Sequence, residues 1–180
     1  AHCQDQVMDS LKIVLKNPKL HDTTRLQIIS DVMISHYDDY DKNYYVLNDM
    51  LGDLALKNYK KKNGEQEQKV YTEWLAGYYS ALASEYLHKS VREPGLVYHD
   101  KAIALLRSIK SYDEMYVAYL AKAGFYVMDD KVDKAIPLIF ESLKYFEKDE
   151  THYVDEMSYA LQMLARIYSE QNQFHKSIAI

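Results

Sequence analysis

Cysteine, proline and glycine are all scarce in this chain of 180 residues, and each scarcity removes a class of protein. The single cysteine, Cys3, excludes an internal disulfide framework and any metal site built from several thiolates. Five glycines and three prolines leave too few turn-forming residues for a many-stranded sheet. No uninterrupted apolar run approaches the roughly 20 residues that cross a bilayer, so no membrane span is expected. Gly-x-Ser-x-Gly elbows and glycine-rich phosphate loops are missing too, and the lone thiol stands in the terminal stretch. Nothing here points to a nucleophile with a tuned pKa, and no enzyme is expected.

What is present is ordinary for a folded chain. Hydrophobic residues make up 48% and charged residues 27%, enough apolar surface for a core, so disorder is excluded as the overall state. With 22 Lys and Arg against 27 Asp and Glu, the formal charge is −5. Lys57, Lys60, Lys61 and Lys62 form the one basic cluster, and a basic last helical turn explains it. Phosphate binding needs a broader positive footprint, so direct nucleic-acid binding is not expected.

Helical periodicity runs from end to end. Val7, Leu11, Val14 and Leu15 mark a leading helix within 1–20, closed by Asn17-Pro18. Asp22 is placed to cap a second helix with Leu26, Ile29, Met33 and Ile34; a third carries Tyr44, Leu47, Leu51 and Leu54. It ends at Lys60-Lys61-Lys62-Asn63-Gly64, where Asn-Gly suits a left-handed cap. A long fourth helix from about Gln66 to His88 carries Val70, Trp74, Leu75, Tyr78, Leu82 and Tyr86, and Pro94-Gly95 breaks it. Ala102, Ile103, Leu106 and Ile109 mark the fifth. Ser111 and Glu114 have the spacing of a capping box for the sixth, Asp129-Asp130 begins the seventh, Asp149 the eighth, and a ninth starts after Asn172-Gln173. Short connections make neighbours antiparallel, which gives hairpins over 22–62, 66–110, 111–148 and 149–180, the last cut short.

The hairpins repeat one another. Ala83-x-x-Tyr86, Ala123-x-x-Tyr126 and Ala165-x-x-Tyr168 each set a small residue three before a tyrosine, at spacings of 40 and 42. Lys101-Ala102-Ile103, Lys134-Ala135-Ile136 and Lys176-Ser177-Ile178 recur in the second helices, and twelve residues separate Ala123 from Ala135 and Ala165 from Ser177. Small residues there let two helices cross closely. This pattern, with Ala135, Ile139 and Ser142 continuing it, resembles the tetratricopeptide repeat, well over 70–180 and weakly over 22–62. The period exceeds the usual 34 residues, Val91–Val97 reads as an insertion in one hairpin turn, and Lys122 takes a place usually apolar. Long repeats of this kind also resemble those of bacterial sensory, transcriptional and peptide-sensing regulators.

Other motifs resolve into plainer readings. Asp39-x-Asp41-x-Asn43 opens like a calcium loop, but Tyr44 stands where glycine must turn and Met50 where glutamate must bind. Glu85-x-x-His88 has di-iron spacing, yet no second copy exists to complete the site. Of the 18 tyrosines, Tyr86, Tyr126 and Tyr168 read as repeat core, with Tyr79 or Tyr159 facing a groove. Pro137, inside the seventh helix, removes a hydrogen bond to Asp133 and predicts a bend there, as a static curve or as a hinge.

The expected fold is therefore all-α: a right-handed α-α superhelix of about nine helices with a concave surface lined by first helices. In the repeat register that surface carries Gln27, Asp31, Ser80, Ser84, Leu120, Gly124, Gln162 and Arg166. The resemblance implies a non-enzymatic module that binds a protein or peptide segment as part of a larger regulator. A structural scaffold for self-association or assembly is the alternative, and neither needs a cofactor. The lack of disulfides fits the cytoplasm; the start at Ala1-His2-Cys3, without methionine, fits an exported protein whose leader is gone.

Overall fold

The computed structural model describes residues 2–35, 42–89 and 91–170, with side chains from Gln6 onward apart from that of residue 88. Among them are eight α-helices and no strand: α1 His2–Leu15, α2 Asp22–Ile34, α3 Lys42–Tyr59, α4 Glu65–His88, α5 Arg92–Ser108, α6 Tyr112–Met128, α7 Val132–Phe146 and α8 Val154–Glu170. A 3-10 turn at Glu147–Asp149 follows α7. The all-α expectation holds. The ninth helix, expected after Asn172-Gln173, falls outside the described residues, as do Asp39 and Asp41. The chain divides into two compact units, Ala1–Glu85 and Tyr86–Ile180, with the boundary inside α4.

In the first unit α2 packs on α3, burying Leu26 and Ile29 with Leu47, Leu51 and Ala55. The cap of α2 is His21 rather than Asp22: its backbone is extended, and its Nδ1 accepts the Thr23 N–H at 3.4 Å. Asp22 is freed to work sideways, accepting from Asn58 of α3 at 2.9 Å and from Arg25 at 2.6 Å. Burial raises its carboxyl pKa, but those two bonds together with the charges of Arg25 and Lys61 outweigh burial and hold it below the ordinary value. Arg25 also donates to the carbonyls of Leu15 and Asn17, meeting acceptors that the end of α1 leaves open. On α1 the core takes Met8 and Leu11, while Val7 and Val14 stay exposed.

Two expected turn devices differ in this region and the next. No glycine has a positive φ. The end of α3 is closed by the Asn63 side chain, which donates to the Asn58 carbonyl at 2.8 Å, so Gly64 needs no left-handed backbone. Pro94-Gly95 sits in the first turn of α5 instead of breaking α4, because a first-turn residue needs no intrahelical N–H donor. The stretch read as an insertion, Val91–Val97, is therefore mostly helix.

In the second unit α5, α6 and α7 follow one another as antiparallel neighbours, and α8 packs on α6 and α7. Arg92, at the start of α5, reaches Asp129 at the end of α6, and Lys122 reaches Asp100. The α5–α6 and α6–α7 turns are built alike. In one, Ser111 N–H bonds the Leu106 carbonyl at 3.0 Å; in the other, Lys131 N–H bonds the Tyr126 carbonyl at 2.8 Å. Each turn places its left-handed residue at the same point, Lys110 (φ 58°) and Asp130 (φ 56°). Helix α7 consequently begins at Val132, and Asp129 belongs to the end of α6.

Between α6 and α7, Ser142 donates to the Tyr116 carbonyl at 3.1 Å. The same antiparallel register sets Ala135 opposite Ala123, and both are fully buried in one core with Leu120, Ile139, Phe146, Ala160, Leu164 and Ile167. Ser111 is the cap of α6, but its hydroxyl bonds the Glu114 carboxylate at 2.6 Å rather than a backbone N–H, so the expected capping box is replaced by a side-chain pair. Asp149 starts no helix. Its carboxylate accepts from Thr151 Oγ1 at 2.9 Å and from His152 N–H at 3.2 Å, shaping the turn before α8.

Candidate functional site

Helix α6 is apolar almost all round, so it must be covered on several sides. Ala118 and Phe125 are buried toward α5, and Leu120, Ala123 and Val127 belong to the core shared with α7 and α8. Gly124 is covered by α8: a Cβ added there would lie 3.0 Å from the Tyr159 hydroxyl. One row is left over. Val117 (43% exposed), half-buried Ala121 and Met128 (47% exposed) recur with Gly124 at helical spacing and carry no charge.

Beside that row runs one face of α8, formed by Tyr159, Gln162 and Arg166 at successive turns. Tyr159 is 46% exposed, with its ring reaching toward Gly124 and burial raising its hydroxyl pKa. Gln162 and Arg166 are exposed, and Arg166 Nε donates to Glu170 at 2.8 Å. The arrangement offers an apolar floor, an aromatic ring, and amide and guanidinium donors at the edge. Such a face suits a chain segment with apolar side chains; it has no nucleophile and no paired acid and base for covalent chemistry.

The eight residues expected to line a groove are distributed as follows. Gln27 and Asp31 are exposed on α2, bonded to each other at 2.8 Å. Ser80 and Ser84 are half-buried on α4, with the Ser84 hydroxyl turned back to the Ser80 carbonyl at 3.3 Å. Leu120 lies in the core and Gly124 beneath Tyr159, so their neighbours Val117, Ala121 and Met128 present the surface on α6. Gln162 and Arg166 are exposed on α8. The α6 row escaped the sequence reading because a helix apolar on every face shows no period that marks its open side.

A second cluster, of Tyr116, Tyr145 and Tyr153, gathers round Asp113 at the start of α6. Tyr145 and Tyr153 both donate to the Asp113 carboxylate, Tyr153 at 2.7 Å, and Tyr116 stacks on Tyr145 at 4.4 Å. Those two hydroxyls hold the Asp113 carboxyl below its ordinary pKa, and the bond to that carboxylate pushes the Tyr145 and Tyr153 pKa values up. Tyr86 stacks on Tyr98 at 5.5 Å, and Tyr126 and Tyr168 are half-buried. Among the described residues no group of three or more His, Cys, Asp or Glu is placed to hold a metal, and no helix is long and apolar enough to cross a membrane. The side chain of His88 in the Glu85-x-x-His88 motif lies outside the described set. Comparison with family models, with curated proteins and with solved structures gives no match.

Proposed function

We propose that the chain is a non-enzymatic helical-repeat module of the tetratricopeptide kind, a right-handed superhelix of antiparallel hairpins that holds a protein or peptide segment. The observation that carries this reading is the pairing of Ala123 with Ala135 in the register fixed by Ser142 and Tyr116. Small residues at that crossing, twelve apart, are what a repeat of this kind requires. Two turns of one design on either side of α6 add to it. The guest face is the α6 row Val117, Ala121 and Met128 with Tyr159, Gln162 and Arg166 of α8. Service within a larger regulator follows from the resemblance alone.

A random dodecapeptide library, panned against the protein and against Val117→Asp/Met128→Asp, tests it. Enriched peptides bearing apolar pairs should lose at least about tenfold in affinity to the variant, with circular dichroism unchanged. No enrichment, or equal binding to both proteins, contradicts the reading.

The scaffold alternative has one observation in its favour. In the first unit an open depression of about 350 Å³ between α1 and α2 is lined by Gln6, Val7, Ser10, Leu11, Val14, Ile28 and Val32, without a single charge. A second copy seated there would make a dimer that light scattering detects, and Val7→Glu/Val14→Glu would return it to monomer.

A further inference from the structure

The least explained group in the second unit is His99 of α5. It is 1% exposed, and neither Nδ1 nor Nε2 has a hydrogen-bond partner. A neutral imidazole carries one donor and one acceptor, so both needs go unmet in an apolar seam. Its ring meets Phe125 of α6 edge to face at 4.8 Å, and the residues buried around the seam are Ala102, Leu106, Met115 and Ala118. A leucine or phenylalanine would satisfy such a place better. What the imidazole adds is a site for a proton.

We propose that the α5–α6 seam is an acid-opened joint whose trigger is His99. Two charged groups reach the ring: Lys122 from α6 and Asp100 on its own helix. They are bonded to each other, so an imidazolium formed in place would meet a lysine cation and no free carboxylate. Burial first, and Lys122 second, push the His99 pKa down from 6.5 to about 4. The closed seam thus binds the proton later than the open one does. Between about pH 6.5 and about pH 4 the open form holds up to one more proton, and opening rises by up to about tenfold per pH unit. The Arg92–Asp129 ion pair across the seam does not give way first, because Arg92 and Lys131 hold the Asp129 carboxyl below its ordinary pKa. Arg107 of α5 also donates to the Tyr119 hydroxyl of α6. Opening leaves Phe125, Met115 and Ala118 uncovered on one side of α6 while its α7 side stays packed.

Hydrogen exchange of the whole chain, corrected for intrinsic rates and followed by peptide mass from pH 6.5 to 4.5, tests the joint. In the wild type, α5 opening should increase about 40-fold over that span while α7 and α8 keep their protection. His99→Phe should hold α5 protection flat over the same range. Equal acid sensitivity in the variant, a flat wild type, or simultaneous loss of α5 to α8 would each overturn the proposal. If His99→Phe does not fold, the imidazole Cε1 proton of the wild type decides by NMR. Titration well below pH 6, coincident with loss of α5 amides, supports the joint; titration near pH 6.5 with α5 still protected overturns it.

Discussion

The hydroxyl of Ser142 on α7 lies 3.1 Å from the Tyr116 carbonyl on α6 and 2.9 Å from the Leu138 carbonyl of its own helix. One proton is shared between an intrahelical acceptor and one across the pair. That geometry needs the two backbones close together, which the fully buried alanines Ala123 and Ala135 permit in the same register. Ser142→Ala should cost about 1 kcal/mol, the net worth of one buried hydrogen bond. Ser142→Leu should cost about 1 to 3 kcal/mol or more by overpacking the crossing. Urea denaturation of the two variants gives the order. Equal small losses would mean that the crossing has room to spare.

Lys110 holds a left-handed backbone with φ 58° at the α5–α6 turn. A residue with a Cβ pays about 1 kcal/mol for that conformation, while glycine adopts it freely. Lys110→Gly should therefore raise stability by up to about 1 kcal/mol despite adding a glycine. Thermal denaturation checks it, and a lower Tm than wild type would contradict the turn geometry.

Gly52 on α3 marks the close approach of Tyr78 on α4, since an added Cβ would lie 2.4 Å from the tyrosine ring. Gly52→Ala should destabilise the chain by about 2 kcal/mol as the ring is displaced. In a Gly52→Ala/Tyr78→Leu double variant the two losses should be less than additive, because the clash is gone. Strict additivity in a double-mutant cycle would show that the two do not touch.

Asp113 gathers the hydroxyls of Tyr145 and Tyr153, which keep its carboxyl pKa low. A folded pKa below the unfolded one gives stability that is present above about pH 4 and fades as pH falls through the lowered value. Tyr145→Phe/Tyr153→Phe should raise the Asp113 pKa toward its ordinary value, as read by carboxyl carbon shifts. An unmoved titration would exclude these bonds in solution.

Much of the fold was legible because it is written in spacing. The small-x-x-Tyr and Lys-small-Ile strings located Ala123 and Ala135, and breaks in apolar period located all eight helices. Helix ends were less legible. His21 took the cap that Asp22 was expected to fill, and Lys110 and Asp130 took left-handed positions where glycine was the expected signal. Asp22 had stronger partners in Arg25 and in Asn58 of α3, which no local string reveals. Of the positions expected to line a groove, Gln162 and Arg166 are exposed, whereas Leu120 is core because α7 and α8 share that side of α6. His99 carried no signal at all, since a buried histidine reads in sequence like an exposed one.

The whole repeat reading stands on the close crossing of α6 and α7. The most direct measurement is disulfide trapping of Ala123→Cys/Ala135→Cys in a Cys3→Ser background, with Ala123→Cys/Phe146→Cys as the control. Mild oxidation should close the first pair rapidly and completely, since a disulfide needs Cα atoms about 4.4 to 6.8 Å apart, and leave the control pair reduced. A first pair that stays reduced, or a control that closes equally fast, would contradict the crossing and the guest-holding array built upon it.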